Sequence, residues 1–119
     1  MRKIIIGIGN AEESAGRFVD VWHQAARGLT RRGPEERLIF EDLETLLRVL
    51  TPKRWALLKS LKREGPMSVR ALAKVLKRDY KNVHSDINVL ERLGLTARTQ
   101  SGEVTVPWES VIAEMRLAA

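Results

Sequence analysis

Between residues 78 and 93 the chain carries Arg78, Tyr80, Lys81, Asn82, His84, Ser85 and Asn88. These side chains are rich in hydrogen-bond donors and acceptors, unlike the Glu/Lys mixture that solvates an ordinary helix face. Val83, Ile87, Leu90 and Gly94 recur among them at helical spacing. One stripe of a helix over Asp79 to Leu93 therefore turns to a core and the polar set turns away from it. Asn82, Ser85 and Asn88 are separated by steps of three and share the polar side. Such groups suit the edges of bases, because a major groove about 12 Å wide admits one α-helix and tells base pairs apart by paired donors and acceptors. Tyr80 and Lys81, at the N-terminal end, can approach phosphates where the helix dipole also favours an anion. Arg78, just outside, adds a further phosphate contact.

Each of these residues has a plainer alternative. Tyr80 can lean its ring on the preceding helix, and His84 can pack in a partly exposed position. Asp79 reads as a helix cap rather than a reader. Asp86 would repel phosphate unless it accepts from a cytosine amine or a neighbouring cation pairs with it, and Arg70 or Lys74 is the expected partner. Arg98, further along, is either a backbone phosphate contact or a surface charge.

The charge distribution favours a polyanion. The formal net charge is +6, yet residues 1–51 hold eight Lys/Arg against eight Asp/Glu, while residues 52–100 hold twelve against four. Concentrated positive charge is what phosphate neutralisation and counterion release require. A solvated basic helix face is the alternative.

Other chemistries find little support. There is no cysteine, and His23 and His84 are too few and too far apart for a zinc site. "GIGNAE" follows a strand-like run as a dinucleotide-binding turn would, but Glu12 stands where the third glycine belongs. Glu12, Glu13 and Asp20 sit along an amphipathic helix whose N-terminal dipole favours acids. The serines lack a base and acid partner set. The expectation is a non-enzymatic protein without a cofactor. The apolar run in "MRKIIIGIGN" is too short for a signal h-region, and no stretch approaches the roughly 20 apolar residues of a membrane span, so a cytoplasmic location is expected.

The elements that must position the polar helix can be read in order. Lys3 to Gly9 reads as a strand, Ala11 to Gly28 as an amphipathic helix and Arg37 to Phe40 as a second strand, a β-α-β start. Asp42 can cap a helix with Leu43, Leu46, Leu47 and Leu50 at helical spacing. Thr51 and Pro52 open a helix that stops at Gly65-Pro66, with Trp55, Leu58 and Leu61 on its buried side. Ser68 caps Val69 to Leu76, and a short turn leads to the polar helix, the pattern of a helix-turn-helix. Gly94 supplies a left-handed C-terminal position, and "LTART", "QSG" and "EVTVP" read as strand, turn and returning strand. This hairpin would be a wing whose tip, Gln100 to Gly102, reaches a flanking groove or phosphate. Trp108, Val111, Ile112 and Met115 predict a final amphipathic helix.

The stretch "LTPKRWALLKSLKREGPMSVRALAKVLKRDYKNVHSDINVLERLGL" resembles the winged helix-turn-helix core of a family of small prokaryotic transcriptional regulators, distantly similar to MarR-type regulators. "RFVDVWHQAARG", "FEDLETLLRVL" and "VPWESV" extend the resemblance over nearly the whole chain. It places the family's recognition helix on Asp79 to Leu93 and its "DYKNVH" motif on Asp79 to His84. Ser85 departs from the family, where a basic residue is usual. Members are often antitoxin-like and encoded beside a ribonuclease-type toxin, so the resemblance implies an autoregulated operon and a toxin partner.

The expectation is thus an α+β winged helix-turn-helix protein with an N-terminal β-α-β extension (1–50), a DNA-binding domain (51–107) and a C-terminal helix (108–119). Paired half-sites, and apolar ends outside the core that need burial, point to a homodimer on double-stranded DNA. A winged-helix protein-interaction module and a structured-RNA binder are the alternatives. The first has no need of the concentrated charge, and the second would read shape and 2′-hydroxyls rather than base edges.

Overall fold

A computed structural model describes residues 2–9, 35–115 and 117. Among them the fold is α+β, with four helices and two small sheets. The elements are β1 (Lys3–Ile8), β2 (Glu35–Phe40), α1 (Leu43–Val49), α2 (Pro52–Glu64), α3 (Val69–Leu76), α4 (Tyr80–Arg92), β3 (Ala97–Arg98), β4 (Val104–Thr105) and β5 (Ser110–Ala113). They group into two units, Met1–Leu50 with Trp108–Ala119, and Thr51–Pro107. No helix of the described residues is long and apolar enough to cross a membrane.

In the first unit β1 is the central strand of a three-stranded parallel sheet of order β2-β1-β5. Its consecutive Ile4, Ile5 and Ile6 are all buried, so both faces of this strand are covered, as parallel sheets require. Parallel pairing of β1 with β2 agrees with the expected β-α-β start, and β2 begins two residues earlier than its apolar run suggested. The helix expected over 11–28 lies outside the described residues. Arg2 ties the sheet together at one end: its guanidinium lies 4.5 Å from the Trp108 ring centroid and 3.5 Å from the carboxylate of buried Glu36.

The C-terminal helix expected over 108–119 is not formed; Ser110–Ala113 is a strand. The spacing of Trp108, Val111, Ile112 and Met115 fits a helix, but the second edge of β1 presents a row of backbone donors and acceptors that pair with this segment as a strand. Pairing runs from Lys3 with Ser110 to Ile6 with Ala113, and bonds from Glu109 N–H to Arg2 O (2.8 Å) and from Glu114 N–H to Ile6 O (2.7 Å) continue it at both ends. Val111 and Ile112 are β-branched and tolerate the change of state. Met115, placed with them on that helical stripe, is 49% exposed.

Asp42 caps α1 as its position suggested, its side chain accepting from Thr45 N–H at 2.8 Å. Leu46 and Leu50 are buried, but Leu43 and Leu47 of the same expected stripe remain exposed.

The second unit is a three-helix arrangement closed by a hairpin. Thr51, Ser68 and Asp79 cap α2, α3 and α4 respectively, each accepting from the backbone N–H three residues on. Leu57, Leu58 and Leu61 of α2, Leu72 of α3 and Val83, Ile87 and Leu90 of α4 fill the core. Trp55, expected with them, is half-buried. Gly94, at φ 80°, turns the chain out of α4 into the hairpin of β3 and β4. Beyond β3, Val104 exchanges backbone bonds with Met67 (2.8 and 3.2 Å), which fastens the hairpin to the segment before α3.

The Asp42 carboxyl is held below its ordinary value, first by the Thr45 backbone N–H and then by the Thr45 side chain. A carboxylate lowered in the folded state adds stability above its unfolded value, and that contribution fades as pH falls through the folded value. Asp42→Asn keeps a cap acceptor but does not titrate, so its thermal midpoint should converge on that of the wild type as pH drops below about 4. Parallel midpoint-versus-pH curves would contradict this role.

Candidate nucleic-acid interface

The turn between α3 and α4 consists of Lys77, Arg78 and Asp79. Lys77 adopts the left-handed conformation (φ 56°, ψ 47°), reversing the chain so that Lys77 N–H bonds to Lys74 O and Arg78 N–H to Ala73 O. Asp79 then accepts from Asn82 N–H at 3.3 Å and starts α4. These bonds aim α4 away from the end of α3 within three residues.

Val83, Ile87 and Leu90 have no exposure, which fixes the outward side of α4. There Lys81, Ser85, Asn88 and Arg92 form one exposed line at helical spacing, with exposed Asn82 beside it. Tyr80, His84 and Asn88 make a second line of i, i+4 neighbours. The Tyr80 and His84 rings are 5.7 Å apart, and Asn88 Nδ2 lies 3.4 Å from His84 Nδ1. Tyr80 is 39% exposed and also touches the preceding helix, because the Arg70 guanidinium of α3 lies 4.8 Å from its ring centroid. Six of the eight expected contact residues, Tyr80, Lys81, Asn82, His84, Ser85 and Asn88, are thus brought to one side of one helix.

Arg78 and Arg98 are placed otherwise. Arg78 turns inward, with Nη2 2.7 Å from Asp86 Oδ2, and Arg54 Nε of α2 binds the other oxygen, Oδ1, at 2.9 Å. Asp86 pairs with these two arginines and not with Arg70 or Lys74. Its position on the buried side of α4, facing α2 and the turn, decides the matter. Arg98 donates to Glu91 of α4 (3.2 Å) and to Gly102 O in the hairpin turn (3.1 Å), so it braces the hairpin against the helix.

Other cations take the outward role. Arg70, Lys74 and Lys77 on and after α3, and Lys81 and Arg92 on α4, are all exposed, and none has an ion-pair partner among the described residues. The alternation of Arg70, Lys74 and Lys77 with the apolar residues of α3 carried this signal, as did the step of four from Asn88 to Arg92. Separating paired from unpaired cations requires the fold. The arrangement offers donors and acceptors flanked by free positive charge. No group of three or more His, Cys, Asp or Glu that could hold a metal ion occurs among the described residues.

The family model HVO_A0114 matches residues 49–113, more than half of the chain. The chain belongs to the HVO_A0114 family. The HVO_A0114 match takes in all of Thr51–Pro107 and runs on through β5, so it spans the polar helix, the hairpin and the strand that returns to β1. No curated protein and no solved structure matches the chain.

Lys77 is the one described non-glycine residue with positive φ. An L-residue there carries a steric cost that glycine avoids, offset in part by glycine's larger entropy loss. Lys77→Gly should raise the unfolding free energy by about 0.5–1 kcal/mol in urea titration; a loss of stability would show that the lysine side chain contributes more than its backbone costs.

Proposed function

We propose that this chain is a winged-helix transcriptional regulator that binds duplex DNA sequence-specifically by seating α4 in a major groove. The outward side of α4 carries the reading: Lys81, Ser85, Asn88 and Arg92 stand in one exposed line with Asn82 beside it, and neither cation is paired with an acid among the described residues. Asn82, Ser85 and Asn88 are the base readers, because amides and hydroxyls discriminate base edges at short range. Lys81 and Arg92, with Arg70, Lys74 and Lys77 alongside, are the phosphate contacts that set affinity and its salt dependence. The β3–β4 hairpin is the wing, but its tip at Gln100, Ser101 and Gly102 carries no cation, so the wing adds shape rather than charge.

The reading includes a homodimer on two half-sites about one helical turn apart. Exposed Leu43, Leu47 and Ile112, in the unit that is not basic, are consistent with subunit contact there. The resemblance to antitoxin-like regulators supports a toxin partner and autoregulation. No catalytic step and no cofactor enter this mechanism.

Single substitutions test it. Asn82→Ala and Asn88→Ala should each cost about 1–3 kcal/mol on the cognate site and relax specificity, with random duplex affected little. Lys81→Ala should weaken every duplex alike and reduce the salt slope by about 1. Equal losses on cognate and random DNA for all three, or tighter binding to structured RNA that ignores Asn82→Ala, would contradict the assignment.

A further inference from the structure

Asp86 is a carboxylate in the middle of a helix proposed to meet a polyanion, and only 9% of the residue is exposed. Both of its oxygens are used, Oδ1 by Arg54 of α2 at 2.9 Å and Oδ2 by Arg78 of the α3–α4 turn at 2.7 Å. The two arginine side chains are themselves only 19% and 20% exposed. One residue on the inner side of α4 is thereby bonded to the two elements that precede it in the core.

Resting on the DNA-binding reading, we propose that Asp86, Arg54 and Arg78 form a positioning device that fixes the rotation of α4 about its own axis, and so the aim of Asn82, Ser85 and Asn88. The apolar stripe alone does not fix that angle closely enough. Hydrophobic contact is non-directional and sets no rotation to within a hydrogen-bond length. A rotation of 20° at a side-chain radius of about 6 Å displaces a reader by about 2 Å, whereas hydrogen-bond lengths vary over a window of about 0.5 Å. Two charge-assisted bonds, from Arg54 of α2 and from Arg78 of the turn, hold Asp86 within that smaller window. Arg78 extends the restraint to the turn, since it lies one residue before the Asp79 cap. Both arginine side chains are largely buried, which withholds them from phosphate, and the device acts on selectivity rather than on bulk affinity.

The test compares cognate and random duplexes of equal length at one fixed salt concentration. Asp86→Asn removes one negative charge and leaves a single neutral acceptor for the two arginines. It should lower the cognate-to-random affinity ratio by about tenfold or more, the scale of one lost base contact, while random-duplex affinity stays level or rises. A second variant, Arg54→Met/Asp86→Leu/Arg78→Met, removes the buried charges together and so does not depend on their pairing to fold. It should keep its circular dichroism and thermal midpoint yet lose the ratio to a similar degree.

A folded triple variant with the wild-type ratio would overturn the proposal. A rise of Asp86→Asn on both duplexes by the same factor would overturn it too, making Asp86 a mask over two phosphate-binding arginines. Failure of the underlying reading looks different: the wild type itself would then show no preference between the duplexes.

Discussion

Val83, Ile87 and Leu90 lie along one side of α4 without solvent exposure, and that burial forces Lys81, Asn82, Ser85, Asn88 and Arg92 to the surface. A helix has one axis, so fixing the inner stripe fixes the outer one to within the tolerance of packing. The remaining elements of the unit act on that constraint. α2 and α3 supply the apolar surface against which the stripe is buried, and the left-handed Lys77 with the Asp79 cap sets where the helix starts. The hairpin closes the core from the other end through Leu95, Val104 and Val106.

Charge in this unit separates into two populations with different roles. Arg54, Arg78 and Arg98 are bonded to carboxylates on α4 and brace the elements around it, whereas Arg63 only pairs with its exposed neighbour Glu64. Arg70, Lys74, Lys77, Lys81 and Arg92 face outward, and they define the field that a partner meets. The +6 of the whole chain therefore understates the local positive potential along α3 and α4.

Sequence patterning exposes the second unit well because its signals are local. Caps at Thr51, Ser68 and Asp79, the Gly65-Pro66 stop and the Val83, Ile87, Leu90 stripe each act within a few residues, and the structure places every one of them as expected. The polar side of α4 follows from the same periodicity. Long-range pairing is what the pattern does not contain. Ser110–Ala113 becomes a strand because β1, more than a hundred residues earlier, offers an open edge. Arg54 reaches Asp86 across 32 residues, so that pairing depends on how α2 packs. Leu43 and Leu47 follow a helical stripe that is only half used, since spacing marks a face without showing how much of it finds a neighbour.

The most direct measurement is selection of bound sequences from a random duplex library with the purified protein, repeated at two salt concentrations. Counterion release makes non-specific binding collapse as salt rises, whereas base contacts persist. If α4 reads sequence from a dimer, an enriched, two-fold symmetric site emerges and survives the higher salt. Binding without enrichment, lost as salt rises, would contradict that reading and leave α4 as part of a basic surface with no power to read sequence.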